Sequence, residues 1–248
     1  MPDSPSQRVV VTGAASGIGR AVAELLLESG AEVLAADVAP EGLAELRERG
    51  AATCVVDLVA AADRARLVEQ AAGFDALVNC AGTIRLVPPA EVSEQDWDAI
   101  FGLNAKALFF LCQAFAEVVP DGGRIVNLAS VAARTQATPE TCVYAASKAA
   151  VVAITRSFAY MLGARGVCVN AVLPGIVETP MQEKVIREIA ARRGVSEEEV
   201  AAKRLEGVPL GRTTTPREFA ASLLWLLGPE GAYVTGQAIA VDGGYTMV

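Results

Sequence analysis

Short apolar segments alternate with helix-forming segments along almost the whole chain, and this alternation constrains the fold more than any other feature. Arg8–Val11 is the first apolar run, and an alanine- and leucine-rich helical pattern follows it from Gly17 to about Ser29. Strands joined through helices form a parallel sheet, because each crossover carries the chain back to the same edge. We therefore predict an α/β protein whose strands are Arg8–Val11, Glu32–Ala36, Ala52–Val56, Ala76–Asn79, Arg124–Ala129, Val167–Val172 and Ala238–Val241.

The helical segments between these strands predict a doubly wound, seven-stranded parallel sheet with helices on both faces. After the first helix they are Glu41–Arg49, Asp63–Ala72, Ser93 to near Pro120, and Val143–Leu162. One stretch breaks the alternation, since about forty residues between Pro174 and Pro216 show helical charge patterns and no strand pattern. An insertion at the carboxyl ends of the strands suits a substrate lid. We expect a single domain over residues 1–248 with a helical lid at about 176–215.

Charge and composition exclude several classes of function. A net charge of −8 and a pI near 4.8 leave no basic surface for nucleic acid. The chain has no histidine, and its five cysteines form no Cys-x-x-Cys pair, so we expect no metal site. Scattered cysteines and an amino terminus unlike a signal peptide predict a cytoplasmic protein. No uncharged run reaches the ~18 residues typical of a membrane helix, so we expect no membrane contact.

A glycine-rich turn connects the first strand to the first helix. It reads Thr12-Gly13-Ala14-Ala15-Ser16-Gly17-Ile18-Gly19. Glycines allow backbone N–H groups to approach a pyrophosphate closely, and the amino terminus of a helix favours an anion. The turn therefore predicts a dinucleotide site that includes Gly13, Ser16, Gly17, Ile18 and Gly19.

Acidic and polar residues follow the next strands at the same predicted edge. Asp37 ends the second strand, where a carboxylate can accept both hydroxyls of an adenosine ribose and would repel a 2′-phosphate. Neither Ala15 nor Ser16 supplies the positive charge that a 2′-phosphate requires. We therefore predict NAD as the cofactor. The residues placed to flank it after the third and fourth strands are Asp57, Leu58, Asn79, Ala81 and Gly82.

Tyr144 and Lys148 stand four residues apart in a predicted helix, in a chain without histidine. Residues at i and i+4 share a helix face, so a phenol and an ammonium can enter one pocket. Histidine performs most enzymatic proton transfers, and here it cannot. A tyrosine tuned by a lysine is the leading acid–base candidate, whereas Ser130 is not a hydrolase nucleophile because no histidine can activate it.

Together these residues resemble the short-chain dehydrogenase/reductase family from Arg8 to Tyr245. The matching positions, in order and spacing, are Thr12–Gly19, Asp37, Asn79–Gly82, Asn104, Ser130, Tyr144, Lys148, Asn170, Pro174, Gly175, Thr179 and Val241–Gly244. The resemblance implies a Rossmann fold with strand order 3-2-1-4-5-6-7. It also implies hydride transfer between a nicotinamide cofactor and a secondary alcohol or ketone.

The resemblance also implies a role for each matching residue. Ser130 would hold the substrate oxygen, Tyr144 would exchange its proton, and Lys148 would bind the nicotinamide ribose. Asn104 would bend the long helix around a water molecule in a proton relay. Pro174, Gly175, Val177 and Thr179 would contact the nicotinamide. A free tyrosine has a pKa near 10, so a catalytic pKa near 7 requires about 4 kcal/mol, which the ammonium and the oxidised ring would supply.

The sequence indicates the type of reaction more closely than it indicates the substrate. Tyr144 follows Ser130 by fourteen positions, a step that resembles the type 2 3-hydroxybutyrate dehydrogenase group and its sugar-acid relatives. Members of that group often have an arginine three residues before the tyrosine, where this chain has Thr141. A carboxylate would then need another arginine, from Arg85, Arg134, Arg187, Arg192 or Arg193. Gln136 could instead bind a hydroxyl-rich substrate.

Three classes of function remain open on this scaffold. We favour an NAD-dependent dehydrogenase of a small hydroxy acid, sugar acid or polyol, with substrate contacts from Ser130, Gln136 and Tyr144. The alternatives are an NADPH-dependent reductase of an acyl or aromatic ketone, with a dihydrodiol dehydrogenase as a variant, and a non-catalytic nucleotide sensor. The two long helices are apolar on more than one face, which predicts that they are buried. The resemblance implies an interface between subunits at these helices, and we expect a homotetramer.

Overall fold

The computed structural model describes residues 7–135 and 138–247, and its sheet has the predicted strand order. All seven strands pair in parallel in the order β3-β2-β1-β4-β5-β6-β7. The sheet is a Rossmann fold, as expected. Its strands are β1 (Arg8–Thr12), β2 (Glu32–Asp37), β3 (Ala52–Val55), β4 (Ala76–Asn79), β5 (Arg124–Leu128), β6 (Cys168–Pro174) and β7 (Ala238–Val241).

The helices follow the strands in the predicted alternation. Within the described ranges they are α1 (Gly17–Glu28), α2 (Pro40–Glu48), α3 (Ala61–Gln70), α4 (Glu94–Phe101), α5 (Leu108–Val118), α6 (Cys142–Leu162), α7 (Pro180–Arg193), α8 (Glu197–Leu205) and α9 (Pro216–Ala221). The stretch predicted as a lid contains α7 and α8, and an isolated parallel bridge between Val177 and Thr214 joins its two ends. Its helical character is therefore confirmed.

Two hydrophobic cores lie on opposite faces of the sheet. Successive strand residues point to opposite faces, so Val10 packs into one core while Val9 and Val11 pack into the other. Apolar side chains of α3, α5 and α6 cover the first face, and those of α1, α2 and α9 cover the second. Because both faces are covered, the central strands are mostly apolar, as in other parallel sheets.

The long helix predicted from Ser93 to near Pro120 is interrupted. A π-helical turn, Gly102–Ala107, separates α4 from α5. The buried Asn104 lies in this turn, and its side chain bonds to both backbone polar groups of Thr83. The stretch Glu94–Val118 is long and apolar enough to cross a membrane, but half of its most apolar window is buried inside the molecule. That burial is typical of a core helix.

The carboxyl ends of the parallel strands meet at one edge of the sheet. Thr12 ends β1 and Asn79 ends β4, and these two strands are neighbours although two strands separate them in the chain. The chain leaves the sheet in opposite directions on the two sides of this pair, which opens a crevice above the strand ends. The candidate site lies in this crevice.

Candidate active site

One cleft of about 380 Å³ follows the strand ends from β3 to β6, within the range expected of small-molecule sites. Most of the residues predicted from the sequence line it. They are Gly13, Ser16, Gly17, Ile18, Gly19, Asp37, Asp57, Leu58, Ala81, Gly82, Ser130, Tyr144, Lys148, Pro174, Gly175, Val177 and Thr179. Asn79 and Asn104 lie behind the surface of the cleft, and Gln136 lies outside the described residues.

The glycine-rich turn packs too closely for side chains. Gly13 has φ of +65°, and a Cβ there would lie 2.7 Å from the backbone nitrogen of Ala81. A Cβ on Gly19 would collide with the carbonyl oxygen of Gly13. Helix α1 then begins at Gly17 without a side-chain cap and without an acidic residue in its first turn. The exposed N–H groups and the helix dipole therefore favour a bound anion.

Asp37 is held at the end of β2 by two backbone N–H groups. Its Oδ2 accepts a hydrogen bond from the nitrogen of Ala15 at 3.0 Å, and its Oδ1 accepts one from the nitrogen of Ala39 at 3.0 Å. A carboxylate can accept further bonds, because each oxygen carries two lone pairs. Asp37 therefore fixes the glycine-rich turn and keeps acceptor capacity toward the cleft.

Three hydroxyl and amine groups converge near the end of β5. Lys148 is only 4% exposed, and its Nζ donates to the carbonyl oxygen of Leu128 at 2.8 Å. The same Nζ lies 6.0 Å from the centre of the Tyr144 ring. Ser130 lines the same pocket as Tyr144, and its Oγ accepts from the nitrogen of Ala132 at 3.2 Å. The i, i+4 spacing on α6 thus places both side chains in one pocket.

Burial shifts the pKa of both groups on α6. It lowers the pKa of Lys148 to about 8, because the ammonium loses solvation. It also raises the pKa of Tyr144, since a buried phenolate is disfavoured, while the nearby Ser130 hydroxyl lowers it in part. The lowering of the tyrosine pKa by Lys148, whose Nζ lies 6.0 Å from the ring centre, stays a prediction.

Asn104 and Asn79 take part in buried hydrogen-bond networks. Asn104 Nδ2 donates to Thr83 O at 2.9 Å and to Ser147 Oγ at 3.0 Å, and Asn104 Oδ1 accepts from Thr83 N at 2.8 Å. Asn79 Nδ2 donates to Asn127 Oδ1 at 2.8 Å. The amide of Asn79 therefore points into the interior, and the cofactor contact of Asn79 stays a prediction.

The mouth of the cleft was the least predictable part of the site. Its lining includes Thr83, Leu103, Met181 and Gln182, which were not predicted as site residues, and Cys80, which lies within the matching segment Asn79–Gly82 but was not predicted as a cofactor contact. Gln182 follows the matching Thr179 by three positions, and that adjacency was the available signal. Burial raises the pKa of the Cys80 thiol to about 12, so this group is neutral at ordinary pH.

The arginines considered for carboxylate recognition are occupied elsewhere or lie outside the cleft. Arg85 pairs with Asp96 at 3.0 Å. Arg134 donates to the carbonyl oxygen of Ala238, and Arg192 to that of Leu86. Among the described residues that line the cleft, Lys148 is the only Lys or Arg side chain.

Known proteins match the chain over almost its entire length. A family model described as enoyl-(acyl carrier protein) reductase matches residues 13–246. A 3-oxoacyl-[acyl-carrier-protein] reductase of Thermotoga maritima is 38% identical, over 95% of this chain and 96% of that protein. A D-threitol dehydrogenase of Mycolicibacterium smegmatis is also 38% identical, over 96% of this chain and 92% of that protein.

A solved structure agrees with these matches. The short-chain dehydrogenase/reductase of Brucella melitensis described as a glucose/ribitol dehydrogenase superposes with a TM-score of 0.88 and 34% identity, over 98% of this chain and 97% of that one. This chain belongs to the short-chain dehydrogenase/reductase family. Like its relatives in the family, the protein is an oxidoreductase. The family match leaves its substrate and its choice between NAD and NADP to be argued from the site.

Proposed function

We propose that this short-chain dehydrogenase/reductase uses NAD to interconvert a secondary alcohol and a ketone on a small polar substrate, such as a hydroxy acid, a sugar acid or a polyol. One observation carries the proposal. Ser130, Tyr144 and Lys148 meet at one end of a cleft whose other end is formed by the glycine-rich turn and Asp37. A proton-transfer group and a dinucleotide-binding turn in the same cleft are what such a reaction requires.

The residues present fit a nicotinamide dinucleotide. The turn at Gly13 and Gly19 has no room for a Cβ, so its backbone can closely approach a pyrophosphate. Asp37 offers carboxylate oxygens to a ribose. At the other end, Val177 and Thr179 follow β6 and would hold the nicotinamide amide. When bound, the cofactor supplies the acceptor or donor of the hydride.

The side chains of the protein would handle the proton. Ser130 orients the substrate oxygen, and Tyr144 takes the hydroxyl proton during oxidation or returns it during reduction. Lys148 bears a positive charge below its pKa of about 8, and that charge favours the phenolate form of Tyr144. Because burial raises the pKa of Tyr144, the remaining stabilisation of phenolate would come from the oxidised cofactor. Asn104 holds the Thr83 loop and keeps its proposed place in a proton relay.

Asp37 supports NAD over NADP. A 2′-phosphate would bring negative charge next to this carboxylate, and no Lys or Arg side chain lines that end of the cleft among the described residues. Two unit charges ~4 Å apart repel by about 4 kcal/mol at an effective dielectric constant of 20. We therefore expect kcat/KM to favour NAD over NADP by about a hundredfold or more.

Steady-state kinetics with both cofactors tests this preference. The Asp37→Asn variant removes the charge, so the gap between NAD and NADP should narrow at least about tenfold. The matched variant Asp57→Asn, at the end of β3 in the same cleft, should affect the two cofactors alike. A wild-type enzyme that prefers NADP would contradict the proposal.

A second candidate is reduction of an acyl or aromatic ketone with NADPH. It is favoured by the 38% identity to a 3-oxoacyl-[acyl-carrier-protein] reductase, whereas equal identity to a D-threitol dehydrogenase favours the first candidate. Assays of NAD-linked oxidation of threitol, butan-2-ol and 3-hydroxybutyrate, beside NADPH-linked reduction of a 3-oxoacyl thioester, separate the two. Turnover of the thioester with NADPH, and of no alcohol with NAD, would contradict the proposal.

Helices α5 and α6 carry apolar side chains on the surface of the molecule. Phe109 and Phe110 on α5 and Tyr160 and Met161 on α6 are exposed apolar side chains, which supports burial between subunits. We propose a homotetramer in the cytoplasm, with residues 176–215 acting as the lid over the cleft. Light scattering at micromolar concentration checks the assembly, and a monomeric mass would contradict it.

A further inference from the structure

Gln182 has a buried acceptor atom that the protein leaves without a donor. Over residues 7–135 and 138–247, two buried side-chain nitrogen or oxygen atoms have no hydrogen-bond partner, Arg124 Nε and Gln182 Oε1. Arg124 lies at the start of β5, away from the cleft. Gln182 lines the cleft itself, in the first turn of α7. A buried acceptor without a donor is costly, so this amide is suited to a bound molecule.

The position of Gln182 is fixed by its own backbone. The Thr179 hydroxyl caps α7 by accepting from the backbone nitrogen of Gln182 at 3.3 Å. Pro180 occupies the first helical position, where its fixed φ suits the helix. The side chain therefore projects from an ordered helix start, and its amide is held at the cleft wall formed by the lid.

The charges of the cleft favour a neutral ligand at this amide. Asp37 and Asp57 are the acids of the described lining, and Lys148 is its only Lys or Arg. Lys148 already donates to Leu128 and lies at the reacting end. A substrate carboxylate would thus enter without the bidentate arginine that usually recognises it. A hydroxyl can donate to an amide oxygen or accept from an amide nitrogen, so it satisfies either face of Gln182.

We propose that Gln182 is a specificity-determining residue that accepts a hydrogen bond from a hydroxyl of the substrate remote from the reacting carbon. The preferred substrate class is then the neutral polyols and the corresponding hydroxyketones, and hydroxy acids are poor substrates. This inference rests on the proposed NAD-linked alcohol oxidation and narrows its substrate class.

The test compares three alcohols in the NAD-linked assay: threitol, a neutral polyol; butan-2-ol, which has a single hydroxyl; and 3-hydroxybutyrate, which has a carboxylate. The wild-type kcat/KM should be highest for threitol. Gln182→Leu removes the acceptor and should lower kcat/KM for threitol by about tenfold or more. Its kcat/KM for butan-2-ol and its dissociation constant for NADH, measured by fluorescence titration, should stay unchanged.

Two further variants separate a specific contact from a general effect on the lid. Gln182→Glu keeps an acceptor oxygen and should retain more threitol activity than Gln182→Leu. Glu183→Gln changes the exposed neighbouring residue on the same helix and should leave all three substrates unaffected. The cofactor and the assay are the same in all of these comparisons. A loss of kcat/KM that is seen only for threitol, and most strongly in Gln182→Leu, is therefore due to the Gln182 amide.

Two results would overturn the inference while the proposed function stands. The first is wild-type preference for 3-hydroxybutyrate or butan-2-ol. The second is a Gln182→Leu variant that weakens NADH binding and slows all alcohols equally, which would place the amide against the cofactor. If instead no alcohol reduces NAD and a 3-oxoacyl thioester consumes NADPH, the proposed function itself fails, and the inference fails with it.

Discussion

The two walls of the cleft differ in how their polar groups are satisfied. On the wall formed by the sheet and α6, Asp37 and Lys148 each bond to backbone atoms of the protein itself. On the proposed lid wall, Gln182 Oε1 has no donor among the described residues, and Arg192 ties α7 to the carbonyl oxygen of Leu86. The polar groups of the first wall have hydrogen-bond partners within the protein, which suits the part of the cleft that would bind the cofactor. On the second wall, the bound molecule would supply the partner of Gln182 Oε1.

The largest expected effect is on turnover, and it concerns Tyr144 in the wall formed by the sheet and α6. Tyr144→Phe removes the proton-transfer group, so turnover should fall by roughly a thousandfold, within the range for general acid–base catalysis. NADH affinity, measured by fluorescence titration, should change little. Tyr233→Phe is the matched control, because Tyr233 is fully exposed and lies outside the cleft. Turnover retained by Tyr144→Phe would remove Tyr144 from its proposed role.

The next effect concerns the free energy of unfolding, which the burial of the Lys148 ammonium lowers. Burial lowers the pKa of Lys148 from 10.5 to about 8. Between these values the unfolded chain binds more protons than the native protein, so this residue makes the free energy of unfolding rise with pH. Below pH 8 the buried ammonium instead destabilises the native state to its full extent. Replacement by an apolar residue should therefore stabilise the protein more at neutral than at alkaline pH.

Urea denaturation of the wild type and Lys148→Met measures this difference. The gain in free energy of unfolding of the variant over the wild type should shrink by roughly 2 kcal/mol between pH 7 and pH 9.5. Subtraction of the wild type at each pH removes the contribution of other titrating groups. Lys106→Met, at an exposed position, should leave the difference constant. A constant difference for Lys148→Met as well would show that the native ammonium is not destabilised by burial.

The smallest effect belongs to the lid wall. Arg192→Gln removes the partly buried hydrogen bond from α7 to Leu86, and one such bond contributes about 1 kcal/mol. Amide hydrogen exchange in α7 should accelerate by roughly fivefold, with kcat nearly unchanged. Lys184→Gln, exposed on the same helix, should not alter the exchange rate. Equal exchange in the wild type and Arg192→Gln would mean that this contact does not hold the lid.

The sheet and the meeting of Tyr144 and Lys148 in one pocket were predictable from local patterns. The strands from Arg8 to Val241 follow from apolar runs and their order from the resemblance, and Tyr144 and Lys148 follow from helical spacing. The turn at Gly13–Gly19 was predictable because its backbone geometry accepts little except glycine. In these regions one physical requirement selects one residue type.

Other features depend on contacts between distant segments. The π-helical turn at Asn104 is held by Thr83, twenty-one positions away in the chain. The direction of the Asn79 amide depends on Asn127 and Cys112, which helix α5 and strand β5 bring to it. The pKa of Tyr144 depends on burial, which no spacing reveals. The proposed role of Gln182 depends on the absence of a donor for its Oε1 among the described residues, which the sequence does not reveal.

Asp37 has two roles, because it stabilises the glycine-rich turn and would also discriminate between NAD and NADP. Its two carboxylate oxygens bind the backbone nitrogens of Ala15 and Ala39, so the residue that would discriminate between the cofactors also anchors the glycine-rich turn to β2. Replacement of Asp37 by a residue without an acceptor oxygen would leave the nitrogen of Ala15 without this bond. A switch from the proposed NAD preference to NADP would therefore need an acceptor for Ala15, either an amide as in Asp37→Asn or one from a second substitution, beside any basic residue.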